Sequence, residues 1–120
     1  MSCCEAQAVC VPLGGGPVLL GRIGLNSGSL VQQADLEKIE YLVLRGVNAV
    51  GSDELEAAEV IHNVLQTDAR WKPDKTGYNF EWDAPHTLFP QEDAFTVVVT
   101  FTPTSGNPVV AKWSVIVEGH

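Results

Sequence analysis

The sequence has no cysteine after residue 10, so no disulfide can staple its interior. Its three cysteines, Cys3, Cys4 and Cys10, are odd in number and two are adjacent, an arrangement poorly suited to pairing within the chain. Free thiols are the expectation, with intermolecular disulfides or an adventitious metal as alternatives. A zinc site would want about four ligands at C-x2-C-like spacing, and no histidine lies nearby in sequence.

Basic residues are scarce as well. Seven Lys and Arg stand against fifteen Asp and Glu, a net charge of −8. Residues 76–95 hold Glu81, Asp83, Glu92 and Asp93 with no Lys or Arg. A surface of this sign repels phosphate backbones and anionic lipid, so neither nucleic acid nor membrane is an expected partner. Its ordinary use is to keep a small domain soluble. Long apolar runs are also missing; none reaches the roughly 18 residues that span a bilayer. The N-terminus lacks a basic region followed by a continuous apolar core, and Glu5 interrupts where that core would begin. No secretory signal is expected, and the cytoplasm, or a particle assembled there, is the expected location.

The groupings that support catalysis are absent too. Gly14-Gly15-Gly16 is not followed by G-K-[ST], so the triplet reads as a hinge and not a phosphate loop. His62, His86 and His120 lack the H-x-x-x-H spacing that puts two rings on one helical face; His62 reads as a structural residue. Ser105-Gly106 has no nucleophile-elbow context, and Cys10 has neither a general base nor a rigid support. Asp68, Asp74 and Asp83 offer carboxylates to calcium only if their loop folds back, and their order is not that of an EF-hand loop. No metal, no cofactor and no enzymatic activity is expected.

What is present is a foldable chain. Its 120 residues, 45% hydrophobic and 18% charged, suit one globular domain. Residues 1–16, ending in Gly14-Gly15-Gly16 before Pro17, read as a flexible N-terminal arm, and residues 17–120 as the folded domain. PVLLGRI from Pro17 reads as a first strand, followed by a turn at Gly28. Ile39, Tyr41 and Val43 alternate with Lys38, Glu40 and Leu42, a period of two. Residues 46–52 read as a loop. Residues 53–66 are ambiguous: Leu55, Ala58, Ile61 and Leu65 share a helical face, but a strand over Glu56–Ile61 followed by a helical turn over Asn63–Gln66 fits nearly as well and is favoured.

The last third gives the clearest pattern. YNFEWD places Tyr78, Phe80 and Trp82 on one face of a strand. FTVVVTFT places Phe95, Val97, Val99 and Phe101 on one face, and VVAKWSVIV does the same for Val109, Ala111, Trp113, Val115 and Val117. The PTSGNP turn between the two runs makes them a β-hairpin. About six or seven strands with one short helical turn predict an all-β, two-sheet antiparallel sandwich.

Exposed rings at Trp71, Tyr78, Phe80 or Trp82 would suit a carbohydrate- or ligand-binding module, whereas core packing of most of them is the plainer expectation. Trp71 and Tyr78, with Cys3, Cys4 and Cys10 of the arm, are the candidate partner-contacting residues.

One pattern extends over residues 65–113. Leu65-Gln66-Thr67-Asp68 leads to Trp71, Asp74 and Gly77-Tyr78-Asn79-Phe80; Pro85, Phe89-Pro90, Phe95 and Phe101-Thr102-Pro103 follow, then a glycine turn and Trp113. This resembles the immunoglobulin-like β-sandwich modules of tailed-bacteriophage virion proteins. It covers the C-terminal half and hardly touches the first 30 residues. The resemblance implies a structural component of a virion, such as a capsid decoration, head–tail joining or tail protein. Its partners would be protein subunits, its own copies or others, in an oligomeric particle.

Overall fold

Strict alternation in the last third of the chain builds the larger of two sheets. The computed structural model describes residues 7–25, 28–71 and 75–118. Among the described residues the strands are β1 (Gln7–Pro12), β2 (Val18–Gly21), β3 (Leu36–Arg45), β4 (Asn48–Leu55), β5 (Ile61–Gln66), β6 (Tyr78–Asp83), β7 (Asp93–Pro103) and β8 (Val109–Glu118). One helical turn, α1 (Ala57–Val60), precedes β5.

β7 and β8 form the hairpin the alternation predicts. Phe95 pairs with Val115 and Val97 with Trp113, so the apolar residues of both strands share a face. Gly106, with φ at +101°, takes the left-handed conformation in the turn. β3 lies on the other side of β7, with Ile39 opposite Phe101, Tyr41 opposite Val99 and Val43 opposite Val97. β4 turns back along β3, and β1 runs parallel to β8. The resulting order is β1-β8-β7-β3-β4, facing a smaller sheet ordered β2-β6-β5. Placing the final hairpin beside the third and fourth strands, over the second, sixth and fifth, is the arrangement of an immunoglobulin-like β-sandwich.

The inward faces meet in an aromatic core. Phe80 of the smaller sheet lies 5.1 Å from Trp113 and edge-on to Phe101 at 5.4 Å. Tyr41 lies 4.6 Å from Trp82, and Phe89 packs edge-on to Phe95 at 5.4 Å. Each such buried side chain contributes about 1.5–3 kcal/mol. Trp113 spans this core, its indole donating to the Leu20 carbonyl at 2.9 Å.

Four sequence-based expectations differ from the structure. Residues 7–12 of the expected arm form β1, and the expected hinge is a tight turn. There Gly15 N–H donates to the Pro12 carbonyl at 2.9 Å, and a Cβ on Gly16 would stand 2.5 Å from the Ala84 carbonyl oxygen. Parallel pairing with the last strand is a non-local contact that local pattern does not reveal. Second, most of residues 46–52, expected as a loop, belong to the β3–β4 hairpin; Gly46, at φ +64°, starts the turn.

Third, the ambiguous stretch places its helical turn first, at Ala57–Val60, and its strand second, at Ile61–Gln66, the reverse of the favoured order. Ala57 and Ala58 favour the turn, and the buried Val60 and Ile61 anchor it to the core. Fourth, Tyr78 does not share the face of Phe80 and Trp82. Those two belong to the main core, and Tyr78 packs with Leu20 and Trp71 in a second cluster. The β5–β6 ladder is irregular between these positions, and the side chain of Asn79 turns to the Ile23 and Val31 backbone.

Candidate interaction surface

Strand register gathers the outward residues of the five-stranded sheet into one patch. Leu44, Thr96 and Ser114 form one row across β3, β7 and β8. Leu42, Val98 and Lys112 form the next, followed by Glu40, Thr100 and Val110. β4 extends these rows with Ala49, Ser52 and Glu54. On the far side Ile116 lies between Ala94 of β7 and Cys10 of β1. Val110 is 36% exposed and Ile116 37%, while Leu42, Leu44 and Val98 are half-buried.

A sandwich sheet that faces only water alternates apolar-in with polar-out. This sheet departs from that rule on adjacent strands, so its outer face is apolar and hydroxyl-rich. A contiguous patch of this kind is a candidate interaction site. Its centre, around Leu42, Leu44, Thr96 and Val98, carries no charge. Lys112 stands to one side of β7, and Glu40 and Glu54 stand to the other. Lys38 pairs with Glu40 at 3.7 Å, an exposed contact worth little by itself.

Of the candidate partner-contacting residues, Cys10 is exposed on β1 at the margin of this patch. Cys3 and Cys4 lie outside the described residues. Trp71 is 8% exposed and Tyr78 2%, so neither presents a ring face on which a sugar could stack. The two pack against each other, 5.7 Å apart, over Leu20 on the outer side of the smaller sheet. Sequence pattern could not show that Asp68, Arg70 and Trp71 pack around Tyr78. The residues it missed are Leu42, Leu44, Val98, Val110 and Ile116. Their signal was an apolar side chain at a position the alternation reserves for water, repeated on three strands.

A polar network ties this second cluster down. Arg70 holds Asp68 through Nε at 3.1 Å and Nη2 at 2.8 Å, and its Nη1 donates to Glu81 at 3.0 Å. Nη2 also donates to the Tyr78 hydroxyl at 2.9 Å, and that hydroxyl donates to Asp68 at 2.6 Å. His62 Nε2 meets the other oxygen of Glu81 at 2.8 Å. The Arg70 and Tyr78 hydrogen bonds hold the Asp68 carboxyl well below the usual carboxylate range, and His62, then Arg70, lower that of Glu81. Burial and the bond to Asp68 push the Tyr78 hydroxyl up. Both Asp68 oxygens are thus engaged by the protein itself, which leaves calcium a poor competitor. Among the described residues no group of three or more His, Cys, Asp or Glu is arranged to hold a metal.

The network has a pH signature. Depressed folded-state carboxyls contribute stability that is complete above their unfolded pKa, about 4, and is lost as pH falls through the folded values. Asp68→Asn should therefore flatten the decline in urea midpoint between about pH 5 and pH 2 relative to the unchanged protein. Equal slopes would show that these pairs do not form in solution.

No protein-family model matches the chain, and no curated protein matches it. Among solved structures it is similar to an engineered protein at 16% identity and a TM-score of 0.46, over 94% of this chain and 18% of that one. It is also similar to a VGSC beta subunit from a study of multimeric cell-adhesive interactions, at 11% identity and a TM-score of 0.44, over 98% and 96% of the two chains. Murine CRIg aligns at 13% identity and a TM-score of 0.42, over 95% and 92%. These are likenesses of overall shape. No helix among the described residues is long and apolar enough to cross a membrane.

Proposed function

We propose that this chain is a non-enzymatic protein-interaction domain that docks protein surfaces through the outer face of its five-stranded sheet. The observation that carries this reading is the uncharged, apolar centre of that face in a chain whose net charge is −8. Covering such a patch removes apolar area from water at about 25 cal/mol per Å². Four titratable groups of the opposite face, His62, Asp68, Arg70 and Glu81, are engaged in holding a loop and two strands together. The narrower form of the reading, an assembly component of a tailed-bacteriophage virion, is supported by the resemblance over residues 65–113.

A photo-crosslinking residue at Val98 tests the docking face, with one at Val64 as control. Val64 is 71% exposed but lies on β5 in the other sheet. In the protein's native setting, Val98 should capture a discrete partner, its own chain or another, and Val64 should not. No capture at Val98, or equal capture at both sites, would refute the assignment. For the virion form, the chain should copurify with a particle, and the Val98 adduct should form there.

A further inference from the structure

We infer that the occupant of this face is a second copy of the same chain, related by a two-fold axis that pairs Lys112 of each copy with Glu40 of the other. The inference rests on the docking face proposed above and adds its partner. Lys112 lies opposite Val98 on one flank of β7, and Glu40 lies opposite Thr100 on the other flank. Two sheets packed face to face are related by an axis lying between them. An axis that crosses β7 between Val98 and Thr100, at right angles to the diagonal from Lys112 to Glu40, exchanges those two positions, so it lays each lysine against the other copy's glutamate. One contact is thereby made twice, with Glu54 beside Glu40 reinforcing the negative side.

Size and charge agree with this arrangement. Five strands about 4.8 Å apart, each presenting about eight residues at roughly 3.4 Å, give a face of about 600 Å². Two such faces together bury about 1,200 Å², the lower end of specific interfaces. Two molecules of net charge −8 repel through most of their surface. The centre of this face is uncharged, with Lys112 on one flank and Glu40 and Glu54 on the other; Lys38, 3.7 Å from Glu40, leaves that second flank with a net negative charge. Electrostatic matching of this kind sets register and excludes wrong pairings.

Charge reversal with complementation tests the pairing. Sedimentation of the purified full chain should show a dimer. Lys112→Glu alone and Glu40→Lys alone each create two like-charge contacts and should weaken dimerisation at least about tenfold. Mixing the two variants restores both opposite-charge contacts, so a mixed dimer should return to near the original affinity. Circular dichroism of each variant confirms that it remains folded. A chain that stays monomeric up to about 1 mM, the range of the weakest complexes, would overturn the inference. So would variants that dimerise as before, or a mixture that fails to recover. A monomer whose Val98 still cross-links another protein would sink only the self-pairing and leave the docking face standing.

Discussion

Replacing Trp113 with Asp should leave no cooperative thermal or urea transition. Trp113 is 1% exposed, on the central hairpin, with its indole N–H bonded to the Leu20 carbonyl across the sandwich. Gly21 beneath it has no side chain for a reason of contact: a Cβ there would stand 2.9 Å from the indole Cζ2. Truncating a buried Trp costs about 3–5 kcal/mol. An unpaired buried carboxylate adds several more, or protonates. A domain of this size has roughly 5–15 kcal/mol in total. Trp113→Phe is the control. It keeps a ring against Phe80 but leaves the Leu20 carbonyl without its donor, so it should fold with its stability lowered by about 2 kcal/mol. A folded Trp113→Asp protein would mean that the two sheets do not meet where the structure places them.

The same hairpin shows what a sequence can reveal. Alternation is legible where one face is dry and the other wet, and β7, β8 and the middle of β3 meet that condition. β4 does not. Most of its residues are exposed, on both faces, so its composition carries no period. β1 is held by parallel pairing to the far end of the chain, and a contact of that sequence separation leaves no local mark. α1 is one turn long, too short for a helical period to accumulate. The outer face of the five-stranded sheet was half legible. Leu42 and Val98 each stand out as apolar residues on a wet face, but only the register Leu42–Val98–Lys112 shows that they adjoin. Tyr78 failed for a different reason. Period-two reasoning assumes an unbroken ladder, and the β5–β6 ladder is broken beside it.

Among the described residues Asn79 is the buried polar side chain, 1% exposed. Its Oδ1 accepts from Ile23 N–H at 2.7 Å, and its Nδ2 donates to the carbonyls of Ile23 and Val31, each at 3.0 Å. It thereby closes the excursion between β2 and β3 onto the smaller sheet. Asn79→Leu has nearly the same volume but no polar atom. The Ile23 carbonyl would keep its bond from Val31 N–H, whereas Ile23 N–H and the Val31 carbonyl would each lose the side-chain partner they have here. At about 1–3 kcal/mol for each orphaned group, the loss should be about 2–6 kcal/mol, read from the urea midpoint. Asn79→Asp separates the hydrogen bonds from packing. Its ionised form aims a charge at two carbonyl oxygens, and burial raises its pKa. A raised folded-state pKa penalises the protein at pH 7, and the penalty shrinks as pH falls and the carboxyl gains a proton to donate. The stability gap between Asn79→Asp and the unchanged protein should therefore narrow from pH 7 to pH 4, each pair compared at the same pH. A constant gap would show that Asn79 acts by shape alone and that the excursion it closes is held by other contacts.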